Sequence, residues 1–253
     1  MIGTILSGIS VAMKALDLIS NNVANAKSYG FKTSGLSFQD VYQEGGEPQR
    51  RVGEGAKLAS VKVRHERQGN LTLTGNVMDL AIKGAGYFVV SDDKATTAKY
   101  TRDGSFSLDG RGFIVNSSGL FLRDINGKPI QIPQKYQGAA LSNLNVSENG
   151  TVIAVFEGQK PLELARIALA TFENPGALRP EGGGDFTASF ESGAAKIGNP
   201  GSLGYGNLQS GALENSTSDI VKELTRMLAV QQSFSANAKM LQTHNDMTGR
   251  WLK

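Results

Sequence analysis

Acid–base or nucleophilic chemistry near neutral pH needs a histidine, an activated cysteine or a pair of carboxylates held against a substrate. This chain offers little of that material. His65 and His244 are its only histidines and cysteine is absent, which removes disulfides, thiolate nucleophiles and thiolate-ligated metals. His65 falls in a stretch that reads as a connector and His244 in a terminal helical pattern, and a lone histidine in either place is ordinarily a surface group. HExxH, GxSxG and phosphate-loop spacings do not occur. Gly84-Ala85-Gly86-Tyr87-Phe88 lacks the further glycine and the helix of a dinucleotide-binding turn and reads as a tight turn before a strand. No catalytic, cofactor-binding or metal-ligating residue is therefore assigned. The expectation is a protein that is not an enzyme and takes no small-molecule substrate.

Two polar features remain. Asn21, Asn22 and Asn25 cluster at the end of an apolar pattern, where amides either bond across subunits or turn the chain out of a helix. Asp79, in the run MDLAIKG, either pairs with a backbone amide at a strand edge or is solvated. Charge adds no nucleic-acid footprint, because 26 Lys and Arg face 23 Asp and Glu along the whole chain. The densest basic run, Arg50-Arg51, is too short to be one and reads as a solvated loop.

The elements that position these residues begin with a 3.5-residue repeat. Ile2, Ile5, Ile9, Ala12, Leu16, Ile19, Val23 and Ala26 alternate spacings of three and four, the pattern of a helix that supercoils against a partner. Leu6, Met13 and Ser20 form a second, shorter stripe that widens the seam. The other terminus repeats the pattern through Ile220, Leu224, Met227, Gln231, Phe234, Ala238, Leu241, Asn245 and Thr248, after N-cap candidates at Ser216 to Asp219. Gln231 and Asn245 put polar groups in that seam, where an amide fixes register by demanding a partner. No Lys or Arg precedes Lys14, Asp17 interrupts the apolar run and no small-residue cleavage site follows, so neither a Sec signal nor a membrane span is expected.

Between the two seams the pattern changes to short β segments parted by turn dipeptides: Asp103-Gly104, Asp109-Gly110, Ser118-Gly119, Asn126-Gly127 and Asn149-Gly150. The expected class is α+β. Terminal helices form a coiled-coil layer, and a mostly antiparallel β domain is inserted between them. The boundaries read as an N-terminal helix over 1–32, an extended connector over 33–68, the β domain over 69–205, and a connector with the second helix over 206–253. Residues 162–172 are long and apolar enough to be ambiguous, and their position favours a core strand.

Three collinear motifs carry a resemblance. AMKALDLISNNVANAKSYGFK (12–32), QGNLTLTGNVMDLAIKGAGYFVV (68–90) with YTRDGSF (100–106), and GNLQSGALENSTSDIVKELTRMLAVQQSFSANAKMLQTHNDM (206–247) resemble the signatures of the bacterial flagellar axial proteins that build rod and hook. The matching positions include Asn21, Asn22, Asn25, Gly30, Phe31, Lys32, Asp79, Gly84, Gly86 and Gly104. The resemblance implies a structural subunit stacked with its own copies in a helical tube. The terminal helices would line a channel as an inner coiled-coil layer and the β domain would face outward. It implies neighbouring rod and hook proteins as partners, and passage through the flagellar type III export apparatus to the basal body without a Sec signal. A middle region of one domain favours rod over hook. The shortness of the 33–67 segment points to the proximal rod, while SGLSFQDVY is somewhat hook-like, so hook and distal rod stand as alternatives. A secreted oligomeric binding module is the alternative of another class.

The residues expected to be buried when copies assemble are Ile9, Leu16, Ile19, Val23, Ile220, Leu224, Met227, Gln231, Phe234 and Leu241.

Overall fold

The computed structural model describes residues 2–42, 53–93 and 97–251. Arg50-Arg51 and most of the Gly-rich part of the expected connector lie outside the described residues. The chain divides into two compact units, one of residues 1–26, 33–64 and 218–253, the other of residues 27–32 and 65–217.

In the first unit the seam patterns become two helices, α1 (Ile2–Ala24) and α2 (Ile220–Trp251), packed along each other. Asp219 caps α2, its Oδ1 accepting from the amides of Val221 at 2.9 Å and Lys222 at 3.2 Å. The buried residues of α1 are Ile5, Ala12, Ala15, Ile19 and Asn22. Their spacing keeps the 3.5-residue repeat but takes Ala15 and Asn22 where the apolar pattern pointed to Leu16 and Val23, which are only half-buried. The reason is steric. A Cβ at Gly8 would stand 2.9 Å from Asn237 Nδ2, so small side chains on this face let the helices approach closely. The half-buried positions of α2 are Met227, Val230, Phe234, Asn237, Leu241 and His244, again three and four apart. Among the described residues, α1 has the length and composition to cross a membrane; here one of its faces is buried within the unit.

The third component of this unit is an antiparallel hairpin of β1 (Ser34–Tyr42) and β2 (Gly53–Val63), occupying most of the stretch read as an extended connector. The alternation explains it. Leu36 faces Val61 and Phe38 faces Leu58 on one side, whereas Ser37 with Ser60 and Gln39 with Lys57 occupy the other. α1 packs against this hairpin.

The second unit is β-rich and all its strand pairs are antiparallel. Among its strands are β3 (Leu71–Leu73), β4 (Leu80–Lys83), β5 (Tyr87–Ser91) and β6 (Ala98–Thr101). β5 lies inside the largest sheet, between β6 and Phe121–Leu122, and a four-stranded sheet holds Ala139–Val146, Thr151–Phe156 and Leu162–Arg166. The ambiguous 162–172 stretch becomes two strands, Leu162–Arg166 and Leu169–Thr171, with Ile167 and Ala168 fully buried between them. The unit runs past the expected end at 205, because Asn207–Ser210 pairs with β4 and Ala212–Glu214 with β3. Phe88, Leu80, Ile82, Leu122, Ile167 and Leu169 centre one core.

Three turns of this unit share one construction. Asp109, Asn116 and Asp124 each accept two amides on one side-chain oxygen, from the residues two and four positions ahead. The residue three ahead is glycine each time, with positive φ. The turn residue sought in dipeptides is thus an Asx–x–x–Gly unit.

Gly104 sits where no other residue fits. Its carbonyl accepts from the amides of Leu80 at 3.0 Å and Phe106 at 2.9 Å, and an added Cβ would lie 1.6 Å from the Leu80 carbonyl oxygen. Gly104→Ala is expected to cost about 3 kcal/mol and to lower the thermal unfolding midpoint by roughly 10 °C. Gly110→Ala, where an added Cβ meets nothing within 4 Å, should leave the midpoint in place in the same melting experiment.

Candidate functional site

Two arrangements concentrate the residues that the sequence singled out. The first is a buried charge cluster within the second unit. Pairing of Ala212–Glu214 with β3 sets Glu214 beside Leu71, with its side chain 1% exposed. Glu214 Oε1 accepts from Lys32 Nζ at 2.6 Å and from the Gly69 amide at 2.8 Å, and Oε2 accepts from Arg102 Nη1 at 3.2 Å. Its backbone carbonyl accepts from the Gly30 amide at 2.7 Å. Lys32 Nζ donates also to the Arg67 carbonyl at 2.6 Å, and Arg102 Nη2 to the Gly84 carbonyl at 2.8 Å. The Arg102 guanidinium lies 5.2 Å from the centre of the Tyr87 ring. Gly30 permits this closure: its φ is +67°, and a Cβ there would stand 2.5 Å from the Arg102 carbonyl carbon.

Burial governs the titrations here. Removal from water lowers the Lys32 pKa, against the opposing pull of Glu214. It brings His65 down to about 4, with the charges of Lys32 and Arg102 acting in the same direction. It pushes Tyr87 up to about 12. A cavity of about 560 Å³ adjoins the cluster, with Lys32, His65, Tyr87, Arg102 and Phe172 among its walls. Glu214, Lys32 and Arg102 are fixed by one another and the two cations also by backbone carbonyls, which is the chemistry of a brace between chain segments.

His65 corrects the sequence reading. It is 6% exposed, not a surface group. Its Nδ1 is 2.8 Å from the Tyr87 hydroxyl, and its ring meets Phe186 edge-on at 4.8 Å. His244 is half-buried on α2. Arg102 and Glu214 lie inside the second and third family motifs but are not distinguished there by type or spacing. The available signal was a charged residue flanked by apolar and small ones, Tyr-Thr-Arg and Ala-Leu-Glu.

The remaining motif residues separate. Lys32, Gly30, Gly84 and Gly104 belong to the cluster or its immediate backbone. The Phe31 carbonyl accepts from the Thr217 amide at 3.0 Å, and Gly86, with φ of +133°, turns against Leu169. The Asp79 carboxylate takes the Thr74 hydroxyl at 2.6 Å and the Asn76 side-chain amide at 3.2 Å, so its partners are side chains and not a strand-edge amide.

The second arrangement is in the first unit, where the asparagines divide their roles. Asn22 is buried, donates to the Ser34 carbonyl at 3.0 Å and accepts from the Ser34 amide at 3.1 Å, while its carbonyl accepts the Ser218 hydroxyl at 2.8 Å. It thus ties the end of α1 to the starts of β1 and α2. Asn25 bonds back to the Asn21 carbonyl as the helix ends, and Asn21 is exposed. Of the expected seam, Ile19 is buried, and Ile9, Leu16, Val23, Met227, Phe234 and Leu241 are half-buried. Ile220, Leu224 and Gln231 are exposed.

Residues 81–154, which run from β4 through Thr151–Phe156, match the family described as flagellar hook protein FlgE/F/G D1 domain. Residues 209–253, with Glu214 and α2, match that described as flagellar basal body rod FlgEFG protein C-terminal. The chain is 33% identical over 255 residues to the flagellar basal-body rod protein FlgG of Bacillus subtilis, covering 96% of this chain and 94% of the relative. The chain belongs to the flagellar rod and hook protein family. Among its relatives the FlgG of Caulobacter vibrioides is 34% identical, over 96% of this chain and 95% of that protein. The hook protein FlgE of Borreliella burgdorferi is 29% identical and aligns over 77% of this chain but only 41% of its own length. Rod and hook family signatures thus fall on both arrangements: one matched region holds Gly84, Arg102 and Gly104, the other Glu214 and all of α2.

Glu214→Gln leaves Lys32 and Arg102 buried without their counter-charge and should destabilise the chain by about 3–5 kcal/mol. Urea unfolding measures this, with Glu173→Gln, in an exposed pair with Lys196, expected to unfold like the parent. His65 adds a pH dependence. Its folded pKa of about 4 lies below the ordinary value of 6.5, so between these values the unfolded chain binds more protons. Stability therefore falls as pH drops from about 6.5 to about 4, by an amount on the order of 3 kcal/mol. His65→Gln should flatten that part of a stability–pH curve.

Proposed function

We propose that the chain is a rod subunit of the FlgG type in the bacterial flagellar basal body. It polymerises with its own copies into an open helical tube, which transmits torque towards the hook and encloses the export channel. The observation that carries this is the end-to-end match to proteins named as basal-body rod FlgG, set against a hook protein matched over less than half its length. The whole-length matches support the FlgG type, and the length of the 33–67 segment is given no weight in this reading. In this reading α1 and α2 are the inner coiled-coil layer, and the β-rich unit is the outer part. Neighbouring rod and hook proteins are the partners, and the subunit leaves the cell through the flagellar type III apparatus without a Sec signal.

The first unit supports assembly by what it leaves uncovered. Val221, Leu224 and Leu228 on α2, and Ile2, Leu6 and Met13 on α1, are large apolar side chains exposed to solvent. Covering each one contributes about 1.5–3 kcal/mol. A head-to-tail contact whose rotation does not close yields an open filament.

Electron microscopy of the concentrated full-length protein is expected to show tubes, and Leu224→Asp to abolish them while the thermal melt of the chain is retained. Closed trimers or rings, or tubes formed normally by Leu224→Asp, would overturn the proposal.

A further inference from the structure

Within the first unit a groove of about 310 Å³ lies between α1 and the hairpin. Its helical wall is Lys14, Asp17, Leu18 and Asn21. These stand at positions i, i+3, i+4 and i+7, the diamond of four residues that forms the hole for a knob from a facing helix. Leu36, Leu58 and Val61 of the hairpin form the other wall. Phe38, on the same hairpin face, and Val61 are each about half exposed, so the apolar side of this two-stranded sheet is only partly covered. A hairpin of two strands needs such cover to be stable in water.

The matching knobs are on the same molecule. Val221, Leu224 and Leu228 are 74%, 44% and 61% exposed and lie three and four residues apart. At about 100° per residue they are turned roughly a third of the circumference from the face carrying Met227, Phe234 and Leu241. From Val221 to Leu228 the helix rises about 10 Å, the same rise as from Lys14 to Asn21. Thr225 and Gln232, the other residues along this stripe, carry no charge, so the stripe brings no ion of its own to a groove whose floor is Leu18, Leu36, Leu58 and Val61 and whose helical wall also carries Lys14 and Asp17. The exposed stripe of α1 suits the groove less well, since Ser10 and Asp17 interrupt it.

We propose that the α1–hairpin groove receives Leu224 and Leu228 of a second copy of this chain. The inference rests on the rod reading above and names the surfaces through which copies meet. Knob and hole occupy different faces, so one contact leaves the other half free on each copy, and copies add head to tail, as an open filament requires.

The absence of cysteine makes the contact directly testable in the full chain. Asn21→Cys and Leu224→Cys are made in separate chains, one of them tagged, mixed, assembled, pelleted and oxidised. With one thiol per chain, every disulfide is between copies. The tagged–untagged product is expected to exceed, at least fivefold, that of Asn21→Cys with Ser233→Cys, which lies on another exposed face of α2. Leu18→Cys with Leu228→Cys reads the same contact should the first pair disturb packing. A pelleted polymer in which neither pair links above the Ser233→Cys control overturns the docking and leaves the rod reading standing. Failure of the unsubstituted chain to polymerise at any concentration overturns the rod reading, and the docking with it.

Discussion

A carboxylate shut away from water must be neutralised where it stands, and Glu214 is neutralised by residues far away in sequence. Lys32, Arg102 and the Gly69 amide all reach its two oxygens. The charge of any one of the three ions is costly once another is removed, because an unpaired ion in a poorly hydrated interior loses several kcal/mol of solvation. The segments around residues 30, 69, 102 and 214 are therefore mutually dependent. This accounts physically for the three separated motifs: each supplies one side of a single junction. It also explains why small residues are required beside the charges. Gly30 and Gly69 allow a backbone approach that a Cβ would prevent, since a Cβ added at Gly30 would stand 2.5 Å from the Arg102 carbonyl carbon and one at Gly69 2.0 Å from the Asn215 carbonyl oxygen.

The helices of the first unit follow another constraint. A 3.5-residue repeat fixes which stripe of a helix can meet a partner, but side-chain volume decides which of two adjacent stripes does so. On α1 the close approach to α2 is at Gly8, beside Asn237, and the buried residues around it are the small Ala12 and Ala15 together with Ile5 and Ile19. Leu16 and Val23 are displaced to the margin. On α2 nearly every position keeps substantial exposure and Glu223 is the buried residue, so packing within one chain covers only part of the apolar surface that the repeat provides.

How far the sequence could be read depended on the range of the interaction. The helices, the change to β segments after residue 69 and the glycine turns were legible because periodicity and turn chemistry act over a few neighbours. The hairpin over 34–63 was not, since its alternation is short and the polar, glycine-rich stretch between its strands dominates the composition. Glu214 and Arg102 were invisible as a pair: apolar and small neighbours can mark each one singly, but their meeting depends on strand pairings more than a hundred residues apart. His65 was misread for the same reason, because its burial comes from Tyr87 and Phe186. Among the asparagines, Asn22 differs from Asn21 only in helical phase, and that phase decides which amide meets Ser34 and which meets water.

The two units therefore use their polar groups differently. In the second, buried charge and Asx turns bind a β domain whose apolar residues are largely enclosed. In the first, the polar contacts of Asn22, Ser218 and Asp219 secure the helix ends and leave the exposed apolar stripes untouched. Side chains such as Val221 and Leu228 gain nothing from the folded chain alone, and ordered, exposed apolar surface is stabilising only when something covers it. The assembly proposed above calls for this distribution, in which the apolar residues of the β domain are enclosed within one chain and those of the helices are left for the next copy to cover.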